Sequence, residues 1–175
     1  MPKVLIISDS HGLTEEVQEI KARHQAEVDA MIHCGDSELS YDAEELQGYH
    51  YAKGNCDFEP EMENDQVVEV GDVKILATHG HLYQIKSTLM PLSYRAEEAG
   101  AQIACFGHSH IAGAEKVNDK LFINPGSIRL PRDHKEPSYA ILEWDTLDNV
   151  TVQFHHVNGE PMQDVKLETS LAAKN

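Results

Sequence analysis

The sequence predicts an α/β fold in which two packed β-sheets are covered by helices. Three observations predict it. The early half alternates short apolar runs with helical periodicity, starting with Lys3 to Ser8 and the stretch from Leu13 to His24. The later half pairs strands through hairpins, at Gly71-Asp72 and again around Asn118-Asp119. The chain also has 175 residues, 41% of them hydrophobic, which suits one domain over 1–175 whose core needs no disulfides.

Lys3 to Ser8 is continuous, apolar and β-branched, the pattern of a strand buried on both faces. Leu13, Val17 and Ile20 then recur at helical spacing, and Glu15, Glu16, Lys21 and Arg23 complement the helix dipole. Asp29 to Cys34 and Tyr49 to Ala52 are further strands, with a short acidic helix at Asp42 to Leu46 between them. Residues 58–65 form an acidic loop whose charges are read as solvated. Gln66 to Val70 and Val73 to Ala77 make the first hairpin. Tyr83 to Ala99 is helical in character, with a break at Pro91 and a stop at Gly100. Ile103 to Phe106 is a strand, Gly113 to Val117 pairs with Lys120 to Ile123, and Arg129 to Pro137 is a polar loop. Tyr139 to Glu143 pairs with Val150 to His156, and residues 164–175 read as a loose polar tail.

Charge narrows the function. Fourteen basic against 30 acidic residues give a formal net charge of -16, which repels polynucleotides and anionic membranes at long range and argues against a basic face for nucleic acid. Cys34, Cys56 and Cys105 are odd in number and lack Cys-x-x-Cys pairing, which fits a reducing compartment. Val4 to Ile7 is too short for a signal-peptide core, and no stretch approaches the ~18 apolar residues of a membrane span. The expectation is a cytoplasmic protein. Homo-oligomerisation is left open.

The chemistry gathers at strand ends. Asp9-Ser10-His11-Gly12, Gly35-Asp36, Gly54-Asn55-Cys56-Asp57, Thr78-His79-Gly80-His81 and Gly107-His108-Ser109-His110 each follow an apolar run. In open α/β sheets the functional crevice lies beyond the carboxyl ends of strands. Each motif alone is ordinary loop punctuation, but five together place seven nitrogen and oxygen donors in one crevice: Asp9, His11, Asp36, Asn55, His79, His108 and His110. Seven donors exceed one tetrahedral ion and suit two ions sharing a carboxylate. Two divalent cations, two carboxylates and one hydroxide leave about one positive charge, which matches a singly charged phosphodiester. His33 and Cys34 lie inside a strand and are read as core. His24, His50, His134, His155 and His156 are given no function.

The order Asp-x-His, Gly-Asp, Gly-Asn, His, Gly-His-x-His resembles the calcineurin-like metallophosphoesterases over residues 4–127. The size, Gly54-Asn55-Cys56-Asp57 and Asn124-Pro125-Gly126-Ser127 resemble the small YfcE-type phosphodiesterase branch. The resemblance implies a four-layer sandwich, with helices outside two mixed sheets. It implies that Asp9, His11, Asp36 and His110 hold one ion, and Asp36, Asn55, His79 and His108 the other, with Asp36, Asn55 and His108 at the catalytic centre. Manganese is the metal it implies, and nickel, iron, zinc or cobalt fit the same ligands. A small phosphodiester is the expected substrate, cleaved by in-line attack of a hydroxide bridging two metal ions. Cys56 stands where many members of the family carry a histidine that protonates the leaving oxygen, so Cys56 is read as non-catalytic. Asp57 is expected behind the ligands, and His81 beside substrate or a ligand. Arg129 and Arg132 are the nearest cations for a second phosphate, against a reading as solvated loop charges. The alternatives are a phosphomonoesterase of the same fold and a scaffold without catalysis, like the metallophosphoesterase-fold subunit of retromer. A redox di-metal protein is disfavoured, since no haem or iron-sulfur ligation pattern accompanies the site.

Overall fold

The computed structural model describes residues 2–117, 119–132 and 136–171, so Asn118 of the second hairpin, and His134 and Lys135 of the polar loop, lie outside the described residues. Eleven strands are described, β1 (Lys3–Ile7), β2 (Ala30–His33), β3 (Tyr49–Tyr51), β4 (Asp65–Val70), β5 (Val73–Thr78), β6 (Ile103–Cys105), β7 (Gly113–Val117), β8 (Lys120–Asn124), β9 (Ser138–Trp144), β10 (Val150–His156) and β11 (Pro161–Thr169). Two helices accompany them, α1 (Glu15–His24) and α2 (Met90–Ala99). The strands form two mixed sheets, ordered β11-β10-β9-β1-β2-β3 and β4-β5-β6-β8-β7. In the first, β1, β2 and β3 run parallel. In the second, β5, β6 and β8 do.

Strand alternation builds the layers. Val4 and Ile6 of β1 point to the inter-sheet core, with Ile75 of β5 and Leu121 and Ile123 of β8. Leu5 and Ile7 point the other way and pack against Val17 and Ile20 of α1. Leu76 of β5 and Phe122 of β8 likewise face outward, against Leu92 and Ala96 of α2. Each central strand is therefore apolar on both faces, and the result is helix, sheet, sheet, helix. Its consequence for function is directional: the carboxyl ends of β1, β2, β3, β5 and β6 release the loops that carry the histidines and carboxylates.

Several local expectations are corrected. The Tyr83 to Ala99 stretch is not one helix: a 3-10 turn covers His81–Tyr83, and α2 starts only at Met90. Pro91 lies in its first turn, where the missing N–H costs nothing, so it starts the helix instead of breaking it. Residues 44–46 form a 3-10 turn, not an α-helix. The tail is also corrected, because β11 pairs with β10 from Pro161 to Thr169. It is an edge strand with a half-polar pattern, and Met162, Leu167 and Leu171 pack against the core. Residues 172–175 lie outside the described residues. Asp65, read as solvated, instead accepts hydrogen bonds from Tyr83 Oη at 2.6 Å, Thr78 Oγ1 at 2.8 Å and Arg95 Nε at 3.0 Å. That carboxylate ties β4 to α2.

Candidate metal centre

Five of the seven predicted donors have left-handed backbone: Asp9 (φ 53°), His11 (41°), Asp36 (58°), His108 (70°) and His110 (62°). Such conformations cost of order 1–3 kcal/mol each in non-glycine residues and persist only where surroundings enforce them. The enforcing bonds are visible. The amides of Asp9 and His11 donate to the carbonyls of Gly35 at 3.0 Å and Asp36 at 2.9 Å, lacing the loop after β1 to the loop after β2. Asp57, buried, accepts from the amides of Asp36 and Gly54 at 2.8 Å each and Glu38 at 2.9 Å. It therefore sits behind the ligands as a clip for the Asp36 turn.

The side chains converge. Asp9, His11, Asp36 and His110 each offer a ligand atom, all within 4.8 Å of one another. Asp9 Oδ2 accepts from Ser8 Oγ at 2.7 Å and the His108 amide at 3.1 Å, which leaves Oδ1 facing inward. Oδ1 has ring nitrogens of His110, His11 and His79 at 3.2, 3.8 and 3.8 Å. Asp36 repeats the pattern, Oδ1 accepting from the Cys56 amide at 2.8 Å and Oδ2 lying 3.1 Å from His79 Nε2 and 3.9 Å from His11 Nε2.

Histidine tautomers are set from behind. His79 Nδ1 donates to the Cys34 carbonyl at 2.9 Å, and His110 Nδ1 donates to the Leu130 carbonyl at 2.7 Å. In the neutral rings both Nε2 atoms therefore present lone pairs to the crevice. His11 Nε2 and His110 Nε2 face each other at 3.3 Å. Asp9 Oδ1 and His79 Nε2 are buried without any hydrogen-bond partner. Ring lone pairs and carboxylate oxygens packed together repel unless protons on the rings or a metal cation join them. This donor set fits divalent metal.

Electrostatics agree in direction. Burial works against charge on Asp36, but hydrogen bonding and the charge of His79 win and hold its pKa down at about 2. Asp9 is likewise lowered, burial being outweighed by His110 and His79. His79 is raised although burial opposes it, through Asp36 and Asp9, and His110 is raised by its bond to Asp9. Without metal, protons on these rings supply the positive charge. That pairing stabilises the protein fully below the ordinary histidine range and fades as pH rises through the raised values. A divalent cation must displace those protons, so manganese should raise the melting temperature more at pH 8 than at pH 6. Thermal melts with manganese and with chelator at both values check this, and an equal or larger gain at pH 6 would contradict it.

The remaining predicted residues fall less uniformly. The His108 ring lies 5.0 Å from that of His79, and burial, then His79 and Lys86, push its pKa down to about 4. The His81 ring is 5.4 Å from that of His79 and 6.1 Å from that of His108. Asn55 stands apart: its side chain is exposed and its amide nitrogen lies 3.8 Å from Cys56 Sγ, outside the converging atoms. Arg129 donates to the backbone carbonyl of His11. Sequence reasoning missed Ser127, whose hydroxyl donates to the Asp9 carbonyl at 2.7 Å, and His33, which pairs with Ser10 Oγ at 2.8 Å. It also missed Glu38, which with His11 and Cys56 forms a second group of close ligand atoms. The motif containing Ser127 was noticed, but nothing in its spacing says what it holds.

Residues 2–147 match the model of the calcineurin-like phosphoesterase superfamily domain. The chain belongs to this superfamily. Among its relatives, the probable metallophosphoesterase YsnB of Bacillus subtilis is 54% identical, covering 96% of this chain and 99% of YsnB. Phosphodiesterase YfcE of Escherichia coli is 26% identical, covering 87% and 93%. A Streptococcus pneumoniae protein described as a predicted phosphoesterase has a crystal structure that superposes with TM-score 0.93 at 38% identity, covering 97% of each chain. Vps29 of Entamoeba histolytica, crystallised with zinc, shares the fold at TM-score 0.74 and 20% identity, covering 97% and 99%. The superfamily member is thus a probable metallophosphoesterase of the YsnB and YfcE type, with a metal-binding cluster of histidine and aspartate. No helix among its described residues is long and apolar enough to cross a membrane.

Proposed function

We propose that this chain hydrolyses phosphodiesters with two divalent metal ions, manganese first among them. The observation that carries the reading is the convergence of Asp9 Oδ1 and His79 Nε2, both buried without partners, on the Asp36 carboxylate. Asp9, His11, Asp36 and His110 would hold one ion, and Asp36, His79 and His108 the other, with Asn55 joining them only if its side chain turns from Cys56 toward the crevice. Cations bound there supply Lewis-acid polarisation of phosphoryl oxygens and a lowered pKa for water. The protein's own contribution is to aim its rings, His79 through the Cys34 carbonyl and His110 through the Leu130 carbonyl. His108, with its pKa near 4, offers a lone pair and not a proton at neutral pH.

Proton donation to the leaving oxygen is where this chain is weakest. Burial, Asp36 and Glu38 push the Cys56 thiol up to about 11, so it releases its proton reluctantly. Diesters whose leaving group departs as a stable anion should therefore be cleaved much faster than alkyl diesters. The charge balance of the donor set favours a singly charged diester over a doubly charged monoester, and the name of YfcE points the same way. The test is turnover of bis-p-nitrophenyl phosphate against p-nitrophenyl phosphate by manganese-loaded protein, with dimethyl phosphate as the poor-leaving-group control. Preference for the aryl diester by at least tenfold is expected. Cleavage of the monoester alone would put a phosphomonoesterase in its place, and no metal-dependent turnover on any ester would favour the scaffold reading.

A further inference from the structure

Beside the His108-Ser109-His110 turn opens a cavity of about 700 Å³, far more than a phosphate fills. Its walls are apolar: Ile85, Leu89, Phe106 and Phe122 from the α2 side, and Ile111 and Ala112 from the loop leading into β7. Ser109, between the two histidines, belongs to the same lining, so the cavity lies beside the candidate metal centre.

Two cations line it as well. They are Lys86, from the segment before α2, and Arg132, from the polar loop. The Arg132 amide donates to the His110 carbonyl at 3.1 Å, which fixes that segment beside the turn. Among the described residues neither cation has a carboxylate partner within ion-pair distance. In a chain of net charge -16 two unpaired cations in one cleft need an explanation. Two divalent cations at the centre would already balance the charge of a simple diester. Lys86 and Arg132 are therefore surplus to it, and Glu115 is the only acidic group among the lining residues.

We infer that this cavity is the subsite for the ester group that stays on the phosphate, and that the group is a bulky apolar or aromatic ring system bearing a second anion. The inference rests on the phosphodiesterase reading. Apolar walls take the ring body, and Lys86 with Arg132 takes the added negative charge. Small alkyl diesters would leave the walls wet and the cations unused.

Three p-nitrophenyl diesters separate these contributions: the methyl, the 2-naphthyl and the 6-carboxy-2-naphthyl. The expected order of kcat/KM is carboxynaphthyl above naphthyl above methyl, each step at least fivefold and carried by KM. Lys86→Ala combined with Arg132→Ala, both on exposed side chains, should erase the carboxylate advantage and keep the naphthyl one. Ile111→Glu should reduce the ratio of carboxynaphthyl to methyl turnover at least tenfold. A second readout needs no catalysis: 6-carboxy-2-naphthyl phosphate should bind chelator-treated protein by naphthalene fluorescence and bind the double variant at least fivefold more weakly. If no diester is cleaved but this binding pattern holds, the subsite stands and the phosphodiesterase reading falls. Equal kcat/KM for all three esters, or binding indifferent to both variants, would overturn the subsite.

Discussion

Asp36→Ala is expected to reduce diester hydrolysis by about 10³-fold or more, the largest effect of any single side-chain removal in this protein. A group holding metal at a developing phosphoryl charge is worth several kcal/mol, and each ~1.36 kcal/mol is a factor of ten. Asp36 carries more than its own ligand atom. Its Oδ1 pins the Cys56 amide, its Oδ2 lies 3.1 Å from His79, and its carbonyl holds the His11 amide. The backbone bonds survive truncation to alanine, so the fold should persist while the centre loses its shared carboxylate. Steady-state kinetics with manganese, paired with elemental analysis, checks both halves. Activity within tenfold of the parent would mean that Asp36 is not the shared ligand.

Gly54→Ala should be nearly as damaging, although glycine carries no chemistry. A Cβ on residue 54 would sit 2.7 Å from Asp36 Cγ and closer still to the Asp36 carboxylate oxygen and amide. Neither is a flexible end that can swing away, because Asp57 and Cys56 grip both. The methyl must push Asp36 out of the crevice. Gly107→Ala faces the same obstacle against Ser8 and Asp9, with Ser8 Cβ at 3.0 Å. Both variants should lose at least ~10²-fold in activity, in line with the sensitivity of positioned groups to displacements of about 1 Å. Gly71→Ala is the control for activity: its φ of 60° makes alanine strained at that hairpin turn, which can lower stability, but a Cβ there meets nothing within 4 Å and so displaces no ligand. If Gly54→Ala and Gly71→Ala behaved alike, the close packing behind Asp36 would be irrelevant.

These two sites show which parts of the molecule were legible in its sequence. Strands buried on both faces announce themselves as unbroken apolar runs, so β1, β2, β5 and β6 were read within a residue or two. The β4–β5 hairpin was equally plain, because Gly71-Asp72 can hardly sit elsewhere and Val70 does pair with Val73. β11 was not legible, since an edge strand with one face to water alternates weakly and carries the same charged residues as a tail. The start of α2 was misjudged because proline marks a helix's first turn and its breaks alike.

At the centre, donor types follow from sequence but donor directions do not. Strand-end placement predicted the convergence of Asp9, His11, Asp36 and His110, because parallel strands deliver their carboxyl ends to one edge. The same argument placed Asn55 there, yet its side chain turns toward Cys56, a matter of one rotamer that no spacing encodes. The supports of the site were invisible for a related reason. Ser127 and His33 act through hydrogen bonds that reach 118 and 23 residues along the chain, to the Asp9 carbonyl and to Ser10 Oγ, and no local pattern marks those partners.

The central claim is that lone pairs and carboxylate oxygens in this crevice exist to hold two cations. Diffraction from crystals grown with manganese, collected at the metal's absorption edge, tests it most directly. Two anomalous peaks sharing the Asp36 carboxylate are predicted, one beside Asp9, His11 and His110 and the other beside His79 and His108. A single peak remote from Asp36, or none at saturating manganese, would contradict it.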